Sequence, residues 1–131
     1  MIYIRTYPPS VNKLYMTRGR YRVLTPEARE WKENAKQYIL TQIDESYPAT
    51  LLDKHLTVEI KLFRNDWICK NGNIRKVDAA SYEKCLIDTL FDALKDYEPT
   101  LDDSAIFQIT ISKGVSPLAN EYIQIELLPR S

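Results

Sequence analysis

Four stretches of the chain alternate apolar and polar residues with a period of two, which is typical of β-strands with one buried face. They are residues 2–8, 56–64, 105–113 and 121–129. The pattern is clearest from residue 56 to residue 62, where leucine, valine and isoleucine occupy the even positions and polar residues the odd ones. Pro8 and Pro9 end the first stretch, because proline cannot donate a hydrogen bond to a neighbouring strand. The alternation predicts a sheet of three or four strands.

Two further segments repeat apolar residues at the spacing of an α-helix. The first begins where Thr25 can cap the helix and Pro26 can take its first position, and it runs to about residue 43. Its apolar positions are Ala28, Trp31, Ala35, Tyr38 and Ile39. The second begins at Asp78 and ends before residue 96, since Pro99 prevents continuation. Its apolar stripe comprises Tyr82, Leu86, Leu90, Ala93 and Leu94.

Residues 10–24 are basic and aromatic, and Gly19 lies near their middle, which predicts a hairpin-like excursion between the first strand and the first helix. Strands mixed with two main helices predict an α+β fold with a mixed β-sheet. The sequence shows no internal repeat and no sign of a second domain, so we expect one domain over residues 1–131.

The chain has 131 residues, which suits one domain with a modest core. No apolar run approaches the roughly 20 residues that a membrane-spanning helix needs. The first ten residues do not have the basic start, apolar middle and cleavage site of a secretory signal. We therefore expect a soluble protein of the cytoplasm with no membrane partner.

Cys69, Cys85 and His55 are the only cysteines and histidine, too few for the usual four-ligand zinc site within one chain. Two free thiols in a reducing compartment are the favoured interpretation. Because His55 begins an alternating stretch, we interpret it as an ordinary strand-end residue rather than a general base.

The net charge is zero, but the charges are unevenly distributed. Residues 1–40 contain eight basic and three acidic residues, whereas residues 86–104 contain six acidic residues and one lysine. A basic arm beside an acidic cluster is what a metal enzyme acting on phosphates needs, with cations for the backbone and carboxylates for the ion. Chance segregation on a solvated surface is the alternative.

Asp78 and Asp103 are the candidate catalytic carboxylates. One lies at a helix start and the other at a strand start, so the two can meet at one end of a sheet. Carboxylate oxygens suit Mg²⁺, which can orient an attacking water and neutralise charge on a phosphate. Lys84, expected about two turns into the helix, could stabilise that charge as a point cation.

Each of these residues also has a plain structural interpretation. Asp78 can be a helix N-cap, Lys84 can pair with Asp88 four residues later, and Asp102 and Asp103 can be turn residues after a proline. The charged residues of the whole chain could equally form the surface of a protein-interaction domain.

Three blocks of sequence carry a family resemblance. Residues 7–32 combine a Pro-Pro-Ser-x-Asn turn, an Arg-Gly-Arg stretch and a capped helix. Residues 78–84 read Asp-Ala-Ala-Ser-Tyr-Glu-Lys and are followed by Asp-Thr-Leu at 88–90. Residues 101–113 begin with paired aspartates that lead into a strand. In type, order and spacing these blocks resemble the RusA-like Holliday junction resolvases, small DNA endonucleases common in phages and prophages.

The resemblance implies an α+β nuclease that works as a homodimer and cuts opposing strands of a four-way DNA junction by paired nicks. A twofold dimer would match the twofold symmetry of that substrate. The implied catalytic residues are Asp78, Lys84 and Asp103. The implied ligands of Mg²⁺, for which Mn²⁺ could substitute, are Asp78, Asp102 and Asp103. The implied DNA-contacting residues are Asn12, Lys13, Tyr15, Arg18, Arg20 and Arg22.

The central motif departs from the family pattern. Ala80 stands where the family has its second aspartate, and Ser81 stands where it has asparagine. Alanine cannot ligate a metal, so metal affinity should fall. Glu83 lies three residues further along, and its helical position is expected to direct it elsewhere. The chain is then a divergent nuclease, a branched-DNA binding protein that does not cut, or a sequence altered to inactivate it.

Overall fold

The structure is a computed structural model that describes residues 1–9, 11–68, 72, 79–116 and 120–130. Within these residues there are six strands and three α-helices. The strands are β1 (Ile2–Ile4), β2 (Tyr15–Arg18), β3 (Tyr21–Leu24), β4 (His55–Arg64), β5 (Ile106–Val115) and β6 (Tyr122–Arg130). The helices are α1 (Val11–Leu14), α2 (Pro26–Leu40) and α3 (Glu83–Tyr97). Among the described helices, none is long and apolar enough to cross a membrane.

The main sheet contains four strands in the order β1-β6-β4-β5. β4 and β5 are parallel, while β6 runs antiparallel to both β4 and β1. Parallel neighbours need a crossover connection, and α3 lies in the segment that joins β4 to β5. β2 and β3 form a separate two-stranded hairpin. The α+β fold with a mixed sheet and two main helices is therefore confirmed.

One face of the sheet forms the core, as the alternating pattern predicts. Leu56, Val58, Ile60 and Leu62 of β4 are at most 1% exposed. They pack in one cluster with the buried residues of α2 and α3, so both main helices cover this face. The polar residues between them, Glu59 and Lys61, lie outside the cluster. The apolar stripe predicted for the second helix is confirmed, since Leu86, Leu90 and Leu94 are each fully buried.

The helix α2 starts as predicted but ends earlier. Its N-cap, Thr25, accepts a hydrogen bond from the Ala28 N–H at 3.2 Å, and a proline occupies the first turn. The helix ends at Leu40 rather than near residue 43. Gln42 instead bonds both backbone groups of Tyr3, accepting from its N–H at 2.8 Å and donating to its carbonyl at 2.7 Å. The side-chain amide thus takes the place of a neighbouring strand beside β1.

The first strand is also shorter than predicted. β1 covers only Ile2–Ile4, not residues 2–8. The chain then leaves the sheet, and the Trp31 indole N–H donates to the Thr6 carbonyl at 3.1 Å. Further along, the Tyr7 hydroxyl donates to the Phe63 carbonyl at 3.1 Å. These long-range bonds replace the ladder that a longer strand would have formed.

Part of the uneven charge distribution has a structural cause. Lys32 and Lys36 of α2 form ion pairs with Asp92 and Asp96 of α3, with N–O distances of 2.7 and 3.0 Å. The hydrogen bond to Asp96 raises the pKa of Lys36 above its ordinary value. Two bases of the basic half and two acids of the acidic cluster therefore pair with each other across the two helices.

Candidate active site and basic hairpin

The start of α3 is fixed by aromatic packing. A short 3₁₀ helix, Ala79–Tyr82, precedes it, and the Tyr82 ring packs edge-on against Tyr7 with centroids 5.5 Å apart. Burial is the main cause of the raised pKa of the Tyr7 hydroxyl. Because α3 begins only at Glu83, Lys84 lies in its first turn, whereas the sequence predicted a position two turns into the helix.

Lys84 and Asp103 border the same surface depression. Lys84 comes from α3, and Asp103 from the 3₁₀ helix Asp103–Ala105 that leads directly into β5. Both residues are exposed, and the depression has a volume of about 310 Å³. Its lining consists of Glu83, Lys84, Ile87, Asp88, Asp103, Ile106 and Ile109. Within the described part of the chain, neither Lys84 nor Asp103 forms an ion pair.

Two further carboxylates line this depression and were not predicted as site residues. Glu83 was expected to point elsewhere. Asp88 was interpreted as part of the Asp-Thr-Leu motif or as a surface partner for Lys84, and neither residue was predicted as a site residue. The structure places both half-buried in the wall beside Lys84. Helical spacing could have indicated this, since residues 84 and 88 are four apart and lie on one face, as do 83 and 87. One lysine and three carboxylates thus surround the depression.

Asp102 and Asp103 are adjacent in sequence but have different surroundings. The Asp102 carboxylate lies 3.5 Å from the Lys95 ammonium and borders a second depression of about 430 Å³. A hydrogen bond from the Ser104 side chain is the main reason that the pKa of Asp102 lies below its ordinary value, and Lys95 lowers it further. The two aspartates, predicted to bind one metal together, thus border different depressions.

Asp78, the other predicted carboxylate, lies outside the described residues, as does Cys69. The backbone of Asn12 belongs to α1, but its side chain is not described. Among the residues that the structure does describe, there is no group of three or more His, Cys, Asp or Glu side chains placed to hold a metal ion. The pairing of Asp78 with Asp103 therefore stays a prediction.

The predicted hairpin is present and carries most of the predicted DNA-contacting residues. β2 and β3 pair antiparallel, with Arg18 opposite Tyr21, and Gly19 takes the positive φ of 63° that the turn requires. At the base, Thr25 donates from its N–H to the Leu14 carbonyl at 2.9 Å. Residues 17–22 are all exposed. Lys13 lies at the base, and Tyr15, Arg18, Arg20 and Arg22 lie along the hairpin.

The hairpin is strongly cationic. Glu27 is the first acidic residue of the chain, so no negatively charged side chain precedes α2. The Arg22 guanidinium lies over the Tyr15 ring, 5.1 Å from its centroid. None of the hairpin arginines has an ion-pair partner among the described residues. The arm is therefore free to bind an anion along its length.

Cys85 should react slowly with alkylating reagents in the folded protein. It lies beside Lys84 on α3, and burial raises its thiol pKa to about 11. Since only the thiolate is nucleophilic, alkylation near pH 7.5 should be on the order of 100-fold slower than for an unhindered cysteine. The rate can be measured by mass spectrometry of the peptide containing Cys85, with the same peptide in urea as the control. Equal rates in folded and unfolded protein would show that burial neither shields the thiol nor raises its pKa.

The sequence model of one family, described as Endodeoxyribonuclease RusA, matches residues 6–126 of the chain. The match spans the basic hairpin, both main helices, the depression with Lys84 and Asp103, and most of the sheet. Comparison with curated proteins gives no match.

Proposed function

Because the chain belongs to the RusA endodeoxyribonuclease family, we propose that it resolves four-way DNA junctions by paired, Mg²⁺-dependent nicks. The family implies a nuclease that acts on Holliday junctions. The observation that carries the proposal for this chain is the shared depression, where Lys84 of α3 and Asp103 before β5 come together beside two more carboxylates. Cleavage of a labelled junction in the presence of Mg²⁺ is the corresponding test.

The donor groups of the depression suit a hard cation. Glu83, Asp88 and Asp103 offer carboxylate oxygens, and the lining contains no thiol or imidazole. Such donors fit Mg²⁺ or Mn²⁺ rather than softer metals. We propose that Asp103 holds the ion together with Asp78, and that Glu83 or Asp88 supplies the carboxylate that Ala80 lacks. When bound, the ion would supply an activated water and neutralise charge on the phosphate.

Lys84 is proposed to stabilise the negative charge that develops on the phosphate being cut. Its ammonium is exposed at the edge of the depression and has no ion pair among the described residues. An unpaired cation can be directed at a developing charge without first breaking an existing contact. Ile87, Ile106 and Ile109 border the same space, so part of its wall is apolar.

Replacing Lys84 with methionine should slow junction cleavage by about 100- to 1000-fold, because a preorganised charge at the reacting phosphate is lost. Single-turnover rates with saturating enzyme separate this effect from binding. Lys84→Arg should recover part of the rate. Lys95→Met is the matched control, since Lys95 lies on the same helix and pairs with Asp102 instead. A Lys84→Met protein that cuts at the normal rate would remove Lys84 from the mechanism.

We further propose that the chain acts as a homodimer, so that two equivalent depressions address opposing strands of one junction. A twofold assembly presents the same surface to each half of a twofold substrate. The proposal predicts a dimer in sedimentation experiments and two nicks per junction from a single complex. A monomer that binds and nicks one strand at a time would contradict it.

The alternative function is branched-DNA binding without cutting. It is favoured by Ala80, which cannot replace a metal-binding aspartate, together with the intact basic hairpin. In that case the chain should bind junctions tightly and produce no nicks in Mg²⁺ or Mn²⁺. The double variant Ala80→Asp/Ser81→Asn would then gain cleavage if the rest of the site is in place.

A further inference from the structure

The most exposed aromatic ring among the described residues is Tyr21, near the tip of the hairpin. It is 75% exposed, compared with 69% for Phe107 and 40% for Tyr3. The other two rings have aromatic neighbours, since Phe107 stacks on His55 with centroids 4.1 Å apart and Tyr3 lies 6.2 Å from Tyr122. Within the described chain, Tyr21 has no ring contact, cation contact or hydrogen bond from its side chain.

The pairing of the two hairpin strands places three arginines near this ring. Arg18 is directly opposite Tyr21, so the two side chains lie on one face of the hairpin. Arg20 occupies the turn between them, and Arg22 follows on the other face, over Tyr15. Tyr15 is thus covered by a guanidinium, whereas no described ring or guanidinium lies over the Tyr21 ring. The tip presents one bare aromatic ring among three cations.

The backbone that carries this ring is anchored to the body of the protein. The Thr25 hydroxyl donates to the Lys13 carbonyl at 2.7 Å and closes the base, where Leu14 is buried against the body of the protein. A Gly19 turn then fixes the tip. The Tyr21 ring is therefore presented to solvent from an anchored hairpin, where a ligand can reach it.

The combination of groups points to a nucleic acid base as that ligand. Arginines bind the phosphate backbone, and an aromatic ring stacks on a base whose own neighbours do not cover it. In a continuous duplex every base is already stacked on both sides. Bases at a branch point can lose a stacking neighbour, so a ring at the tip of a cationic arm can distinguish a branch from a duplex.

We propose that Tyr21 stacks on an unstacked base at the branch point of a DNA junction, while Arg18, Arg20 and Arg22 bind the adjoining phosphates. This inference rests on the proposed action on branched DNA, and it adds the residue that selects the branch. An acidic protein surface that covered the same tip would be the competing ligand, and it would give no signal from a base.

The test uses the full chain with a four-way junction that contains 2-aminopurine at the branch point, in EDTA so that no strand is cut. Wild-type protein should change the 2-aminopurine fluorescence on binding. Tyr21→Ala should lose that change and bind the junction about 10-fold more weakly, with duplex affinity and salt dependence unchanged. Tyr21→Trp should keep the signal. Phe107→Ala, which removes another exposed ring, is the matched control.

The outcomes separate the two proposals. If wild-type protein binds no junction at low salt, the proposed function fails and the inference fails with it. If wild-type protein binds the junction and Tyr21→Ala behaves like wild type, the inference alone is overturned. Loss of affinity in Tyr21→Ala with an unchanged fluorescence signal would also overturn it, because the ring would then contact something other than the base. Thermal unfolding of each variant establishes that the fold is intact.

Discussion

Replacing Asp103 with asparagine should reduce the rate of junction cleavage by more than about 100-fold and leave junction binding nearly intact. Mutation of an outer-sphere partner of a metal ligand already costs 10- to 100-fold, so loss of a direct ligand should cost at least that. Asparagine keeps the shape of the side chain but removes its negative charge. Single-turnover cleavage in Mg²⁺ measures the rate, and a mobility-shift titration in EDTA measures the binding.

Two further aspartates make this experiment specific. Asp102→Asn alters the neighbouring residue, whose carboxylate lies beside Lys95 and borders the other depression. We expect a clearly smaller loss than for Asp103→Asn. Asp92→Asn removes a carboxylate of α3 that pairs with Lys32, and it should leave the cleavage rate unchanged. Equal losses for Asp102→Asn and Asp103→Asn would mean that both carboxylates act at the site and that the described positions change on DNA binding.

Replacing Arg18, Arg20 and Arg22 together with alanine should weaken junction binding on the order of 100-fold at low salt. Each cation that binds a phosphate releases counterions, so the slope of log affinity against log salt should fall by about one unit per arginine and by about three in total. The structure supports this expectation because all three side chains are exposed on one hairpin and none forms an ion pair with a described residue.

The matched control for the hairpin variant removes three cations elsewhere, at Lys54, Lys61 and Arg130. The net charge change is then the same, and only the location differs. We expect the control protein to keep most of its affinity and a salt slope close to that of wild type. An unchanged slope in the hairpin variant would show that the arm does not bind phosphate, and would remove the basic hairpin as support for DNA binding.

The strands were predictable because their burial is decided locally. In β4, the apolar even positions are buried and the charged odd positions are more exposed, although Thr57 is buried as well. The cap of α2 was predictable for the same reason, since Thr25 and Pro26 act within one turn. The end of α2 was not predictable, because Gln42 forms hydrogen bonds with Tyr3, which is 39 positions away. No local pattern contains that partner.

The partners of the charged residues were also not predictable from the sequence, because they depend on how the helices and strands pack. In the sequence, Asp92 and Asp96 belong to an acidic cluster. In the structure, the packing of α2 against α3 pairs each of them with a lysine. Asp102 and Asp103 separate because the backbone changes between them. Asp102 is extended, with φ −132° and ψ 151°, and Asp103 begins a 3₁₀ helix. Adjacent carboxylates on different backbone conformations point in different directions, which sequence alone does not indicate.

Two of the charged residues that line the depression were predicted from the sequence, and two were found only in the structure. Lys84 and Asp103 were predicted through motif type and family resemblance. Glu83 and Asp88 joined them only when the first turn of α3 was placed against β5. Under the proposed function, one of them supplies the carboxylate that Ala80 lacks. Glu83→Gln and Asp88→Asn, measured for Mg²⁺ dependence, would identify which carboxylate has that role.

The central claim is that this chain cuts four-way junctions. The direct test is incubation of a labelled junction with wild-type protein in Mg²⁺ and in Mn²⁺, beside Asp103→Asn and Ala80→Asp/Ser81→Asn. The account predicts paired nicks on opposing strands with wild-type protein, none with Asp103→Asn, and faster cutting with the double variant. Tight junction binding by wild-type protein with no nick in either metal would contradict it.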